Sequence, residues 1–166
     1  TAGKENVQKG IYRISHPFVE FYYTYMYPHM SDLQTLSVGE FYNHYIMRDF
    51  RRYVSGYFKQ ICRQHLAMLN ERHRLPILLD DIGEWIGKVG SLDIVSQDEE
   101  GHTLIGLCNW EKPMTYEDYE NLLLYARKAK INPDYVYMYT AFRIDEKLNL
   151  EAKIKTNLKL VQISDL

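Results

Sequence analysis

Apolar and polar positions change their period twice along the chain. In SHPFVEFYYTYMYPHM (15–30) aromatic residues recur at helical spacing, with Phe18, Phe21, Tyr22 and Tyr25 on one stripe. Ser15 is placed to cap this helix, Pro17 suits its first turn, and Pro28 is expected to end it. The stripe predicts a core-facing surface, with base stacking as the alternative use. A second helical pattern runs from about Val38 to Asp49, and a longer third from about Arg51 to Asn70. On the third, Val54, Phe58, Ile61, Cys62, His65, Leu66 and Leu69 share one face, and Gly56 weakens the first turns. Ahead of all three, KGIYRI (9–14) reads as a short strand.

Past Asn70 the period shortens. LPILLDDIGEWIG is strand-like with a break near Gly83. SLDIVSQ alternates, DEEG is turn chemistry, and HTLIGLCNW returns as an antiparallel partner. Asp93 is the one inward-looking acid of this hairpin. A three-residue turn, Glu99 to Gly101, sets Asp93 opposite Leu107; a four-residue turn shifts it to Gly106. Thr115, with Asp118 three residues on, predicts a capped helix to about Lys130, with Tyr119, Leu122, Leu123 and Ala126 inward. INPD breaks it, YVYMYTAF is a strand, and LKLVQISDL is a last strand after a short helical piece. The result is an α/β protein: residues 1–49 form a strand remnant and an aromatic helical segment, and residues 50–166 an α/β core.

Composition changes this picture in three places. Fifteen tyrosines in 166 residues concentrate near the start and in YVYMYTAF. The net charge of −2 argues against a dedicated nucleic-acid binder, which needs a surplus of cations to neutralise phosphates. The charge is uneven, however. Arg48, Arg51, Arg52, Lys59, Arg63, Arg72 and Arg74 face only Asp49 and Glu71 between residues 47 and 74, and seven acids face Lys88 between 80 and 100. Arg48, Arg51, Arg52, Arg72 and Arg74 are therefore the candidate phosphate contacts. Two separated cysteines, Cys62 and Cys108, point to a reducing, cytoplasmic setting without a disulfide framework. No apolar run reaches the roughly 20 residues of a membrane span.

Other chemistry is sparse. Cys62 and His65, with His73 beyond, lack a fourth zinc ligand at motif spacing. Gly83, Gly87 and Gly90 form neither a phosphate-binding loop nor a dinucleotide fingerprint. No phosphate-binding loop means that ATP hydrolysis does not belong to this segment.

The segments KGIYRISHPFVEFYYTYMYP, GYFKQICRQHL, IGEWIGKVGSLDIV and IGLCNW, in that order and spacing, resemble the C-terminal domain of the archaeal-type DEXX-box ATPase family. That domain is usually described as of unknown function and falls in the PD-(D/E)XK, restriction-endonuclease-like superfamily. The resemblance covers nearly everything from Gly10 onward. It implies a core of helix, three-stranded meander, helix and strand, preceded here by the N-terminal helical segment. It also implies a longer parent with upstream ATPase and winged-helix domains, which agrees with a first residue other than Met.

In that superfamily two carboxylates hold Mg²⁺, which activates water, and a lysine balances developing charge. The family's helix Glu falls on Lys59, the Glu before the Asp on Ser91, the strand Glu on Leu107 and the Lys on Asn109. Asp93 alone remains, and one carboxylate binds Mg²⁺ poorly. The resemblance therefore implies a degenerate, non-catalytic site without metal or cofactor, with nucleic acid or a protein as partner. Two alternatives stand beside it. One is a Mg²⁺-dependent nuclease rebuilt around Asp93 from Glu84 or Glu111, with Lys59, Lys88 or Lys112 as base. The other is an interaction or dimerisation module built on the Tyr-rich segment.

Overall fold

A computed structural model of the chain describes residues 16–87 and 90–166. The strand expected over 9–14, the Ser15 cap and Lys88 lie outside them. The chain divides into two compact units, Thr1–Asp49 and Phe50–Leu166, each described by itself.

In the first unit, α1 (Pro17–Phe21) opens into a wider π turn over Tyr22–Met26 and a 3₁₀ turn over Tyr27–His29, followed by α2 (Met30–Thr35). Pro28 therefore does not end the helical path. It falls in the first positions of a new turn, where its missing N–H is not needed. Ser37 then starts α3 (Val38–Phe41) through a capping box with Glu40, and a second π turn covers Tyr42–Ile46. His29 stacks on Tyr45 at 3.8 Å, and the Tyr45 hydroxyl donates to the Asp32 carboxylate. Of the expected aromatic stripe only Tyr25 is buried; Phe18 is 68% exposed.

The long helix α4 (Met47–Glu71) has no break at Phe50, so the boundary expected between the second and third helical patterns is absent. Nothing from Asp49 to Arg51 stops a helix, since neither Gly nor Pro occurs there. The buried face of α4 is Phe58, Cys62 and Leu66. Ile61, expected on that face, is exposed because it is turned about 100° from Cys62.

The rest of the second unit is a five-stranded mixed sheet in the order β1-β2-β3-β4-β5. Strands β1 (Gly83–Gly87), β2 (Gly90–Gln97) and β3 (Thr103–Asn109) form an antiparallel meander. Strands β4 (Tyr135–Thr140) and β5 (Leu158–Gln162) join in parallel, after α5 (Tyr116–Lys128) and α6 (Glu146–Ile154) respectively. The capping box of Thr115 and Asp118 starts α5 as expected. Asp145 starts α6 by accepting the Leu148 N–H, and its other carboxylate oxygen accepts the Tyr116 N–H, which ties the two helix starts together.

The sheet is buried on both faces. Ile94, Leu104, Cys108, Tyr137, Tyr139 and Val161 pack with the buried face of α4. Leu92, Ile105, Val136, Met138 and Leu158 pack with Tyr119, Leu122 and Ala126 of α5 and Leu148 of α6. This is the reason YVYMY is apolar at every position: its odd and even residues serve different cores.

Residues 75–82 form no strand, against expectation. The Asn70 carboxamide takes the part of a strand partner there. Its Nδ2 donates to the Leu79 carbonyl and its Oδ1 accepts the Leu79 N–H, both at 2.8 Å. Leu75, Ile77 and Ile82 of this stretch pack against the core that includes the buried face of α4, with Leu79 buried in it, while Leu78 is exposed.

Gly106 marks a close approach to backbone inside the sheet. A Cβ there would lie 2.9 Å from the Tyr137 carbonyl oxygen and 3.1 Å from the Ile94 Cβ. Gly106→Ala is expected to destabilise the protein by about 1–3 kcal/mol with an unchanged denaturant slope, read by urea unfolding.

Candidate functional site

The site begins with an irregularity in β2. Gly83 pairs with Val95 and Trp85 with Leu92, so β2 advances three residues where β1 advances two. The extra residue makes a β-bulge at Asp93 and Ile94. Leu92 points to the α5 and α6 core, whereas Asp93 contacts α4 and Ile94 packs with it. Strict alternation would send Asp93 and Ile94 to opposite faces.

The bulge leaves backbone groups without ladder partners, and side chains supply them. On the β3 side the register runs from Gln97 with Thr103 to Ile94 with Gly106 and ends there. The β2–β3 turn is the three-residue form, closed by the Asp98 N–H donating to the His102 carbonyl at 3.1 Å. Beyond Gly106 the Asp93 carboxylate replaces the ladder: its Oδ2 accepts the Cys108 N–H at 2.9 Å, one residue past the Leu107 expected opposite it. The Asp93 carbonyl accepts from Arg63, at 3.0 Å from Nε and 2.8 Å from Nη2.

Lys59 completes the arrangement. Its Nζ lies 2.5 Å from Asp93 Oδ1, with side-chain exposures of 35% for Lys59 and 6% for Asp93. Arg63, one helical turn further along α4, reaches Glu84 of β1 as well, 2.6 Å from Nη2 to Oε2. Two cations from one helix thus meet two carboxylates from adjacent strands, and their formal charges cancel. Sequence reasoning did not single out Arg63. The available signal was its spacing of four from Lys59, which puts both on one helix face.

A shallow pocket of about 260 Å³ opens beside this pair. Lys59, Ser91, Asp93, Leu107 and Asn109, the positions carried over from the resemblance, all line it, as do Glu111 and Lys112. Asn109 turns the chain, its Oδ1 accepting the N–H groups of Glu111 and Lys112 at 3.0 and 3.3 Å. Lys112 is 2.8 Å from Asp118, the capping acid of α5, and that contact raises the lysine's pKa above its ordinary value. Glu84 does not line the pocket; Arg63 holds it. Trp110 roofs one side, packed on Phe58 at 5.3 Å.

The donor set does not fit Mg²⁺. Asp93 already serves an ammonium and a backbone N–H, and Leu107 offers no oxygen in its side chain. Among the described residues no group of three His, Cys, Asp or Glu side chains is arranged to hold a metal. Cys108 is no substitute ligand. A hydrogen bond with the Cys62 thiol, together with burial, pushes its pKa far above the ordinary thiol value. His65, the other residue weighed for zinc, faces the Tyr139 hydroxyl at 3.3 Å, and burial lowers its pKa.

The five candidate arginines, Arg48, Arg51, Arg52, Arg72 and Arg74, are exposed. Within the second unit, Arg51 and Arg52 sit near the start of α4, and Arg72 and Arg74 lie past its end. The intervening helix separates the two pairs by about 30 Å, so they do not make one patch.

A family model for archaeal and bacterial proteins of unknown function, DUF234, matches residues 22–123. The chain belongs to that family. It is also 27% identical over 105 residues to an uncharacterized protein of Methanocaldococcus jannaschii, MJECL04, a match covering 63% of this chain. The match spans 23% of that relative's length. No solved structure matches the chain. The DUF234 match includes α4 and the whole meander, and therefore Lys59, Arg63, Asp93 and Cys108. Among the described residues no helix is long and apolar enough to cross a membrane.

Removing one member of the ion pair should cost more than the pair itself contributes, because the other is left uncompensated. Lys59→Met is expected to lower stability at neutral pH by about 1–2 kcal/mol. Asp93→Ala is expected to cost more, about 2–4 kcal/mol, since it also orphans the Cys108 N–H. Urea unfolding at neutral pH checks both, and a Lys59→Met variant as stable as wild type would overturn the account.

Proposed function

We propose that this DUF234 chain is a non-catalytic, nuclease-like domain: the C-terminal module of an ATPase-family protein, holding nucleic acid or a protein partner. The observation that carries the reading is the 2.5 Å contact of Lys59 with Asp93. Where a PD-(D/E)XK site would bring carboxylates to a divalent cation, this chain brings an ammonium to its one remaining buried acid. The built-in cation neutralises Asp93 permanently and takes up the oxygen a metal would need. The element order helix, meander, helix, strand is compatible with a restriction-endonuclease-like core, and β5 extends it. A matched segment covering under a quarter of the archaeal relative suits a module within a longer protein.

A second reading, an interaction surface in the first unit, draws on different residues. Phe18, Tyr23 and Tyr27 are 68%, 52% and 59% exposed, an unusual density of solvent-facing aromatics.

The test is a nuclease assay on single- and double-stranded DNA and RNA with Mg²⁺ or Mn²⁺. No cleavage above background is expected from wild type. Cleavage that Asp93→Ala abolishes would sink the non-catalytic reading and favour a site rebuilt with Glu111 and Lys112.

A further inference from the structure

A second pocket lies at the N-terminal ends of the parallel strands and shares no lining residue with the Asp93 pocket. Its volume is about 350 Å³, within the range of small-ligand sites. His73 and Arg74 line one wall, and Tyr135, Tyr137 and Lys159 another. Tyr137 and Lys159 are register partners on β4 and β5. No acidic residue lines it, in a chain whose net charge is −2.

Three features distinguish this pocket from a random basic surface. First, the wall from the α4 end is a rigid turn. The Arg74 N–H donates to the Leu69 carbonyl at 2.9 Å and the His73 N–H to the Asn70 carbonyl at 3.0 Å, the paired bonds of a Schellman motif. Second, the residue in left-handed conformation there is His73, with φ of 53°, at a position that ordinarily takes Gly. A side chain is kept at a position that disfavours one, and it faces the pocket. Third, the cations project beside aromatic rings. Tyr135 is half-buried, leaving part of its ring accessible, while Tyr137 is 8% exposed and forms the floor. Arg74 and Lys159 are exposed and have no carboxylate within ion-pair distance among the described residues.

We propose that this pocket binds one nucleotide of a single strand, its base stacked on Tyr135 and its phosphate between Arg74 and Lys159. Cations flanking an accessible ring are the combination that single-strand sites use, because every base has a π face and every nucleotide a phosphate. The pocket has room for a base and a phosphate, whereas a duplex presents its bases already stacked. With no basic field around it, the site draws its partner by local contacts rather than long-range steering.

Fluorescence anisotropy of the whole chain with short fluorescein-labelled oligothymidylate tests the proposal. Binding is expected to weaken with salt along a log–log slope of about −0.7, for the one phosphate held between the two cations. Arg74→Ala or Lys159→Ala should flatten that slope. Tyr135→Leu should weaken binding between about 5- and 150-fold with the slope unchanged, and Tyr135→Phe should retain it, which separates stacking from packing. Lys128→Glu on α5 makes a charge reversal elsewhere and should leave binding as it is. Thymidine monophosphate should compete, and inorganic phosphate should not. Competition by the mononucleotide as strong, per site, as by the oligomer would identify a free nucleotide as the source of the same chemistry. Wild type that binds no oligothymidylate at low salt, unaltered binding in Arg74→Ala and Lys159→Ala, or equal competition by inorganic phosphate would overturn the proposal. The result is independent of the nuclease assay: cleavage dependent on Asp93 bears on the first site, and a salt slope dependent on Arg74 on this one.

Discussion

A buried carboxylate at a bulge in β2 is the constraint on which the second unit depends. Once Asp93 is turned toward α4, its oxygens and its carbonyl all need donors in a place water barely reaches. The solution draws on three elements at once. Lys59 and Arg63 come from α4, the Cys108 N–H from β3, and the Arg63 link to Glu84 adds β1. The polar knot sits at the edge of an apolar core of Phe58, Cys62, Leu66 and Ile94, which sets the distance from which the helix can reach. A buried pair of this kind adds little net stability by itself, but it penalises any packing in which helix and sheet slide relative to one another.

On the nuclease-like reading proposed above, the same knot would account for a metal site that lost its chemistry and kept its fold. A cluster of carboxylates at a strand end repels itself and is relieved by a divalent cation. On that reading, a lysine in place of one carboxylate would relieve the repulsion, and Asp93 would stay because it accepts the Cys108 N–H of β3. Leu107 and Asn109 are then free to follow local needs. Leu107 leans on the α5 and α6 core, and the Asn109 carboxamide shapes the turn toward α5. Each substitution that is destructive in a catalytic reading is constructive in a structural one.

The two pockets also divide the sheet between them. At one end the groups are mutually satisfied, cation to anion and donor to acceptor. At the other, Arg74 and Lys159 are exposed beside Tyr135, with no carboxylate in ion-pair distance among the described residues. Groups that a protein leaves unpaired around a concave surface are its resources for binding. If the domain holds rather than cuts, such groups are expected away from the Asp93 pocket.

How much of this was legible in the chain follows from the range of the forces involved. Short-range patterns came through: the capping box at Thr115, the β2–β3 hairpin, the strand YVYMYT and the inward Asp93 all follow from spacing and turn chemistry within a few residues, while the structure chose the three-residue turn from the two the sequence left open. Patterns that rely on partners elsewhere did not. Residues 75–82 look like a strand until Asn70 takes the place of one, Pro28 looks like a stop until a new turn begins beneath it, and Ile61 looks inward until the tilt of the buried face is known. The sequence alone determined which residues were candidates, including the one acid left among Lys59, Ser91, Leu107 and Asn109. Only the tertiary structure decided that Lys59 lies on that acid, that Arg63 holds the bulge, and that Arg74 meets Lys159 and two tyrosines. Those pairings span from 30 to 85 residues of chain, and no local preference encodes a contact whose partner is chosen by the packing of a helix on a sheet.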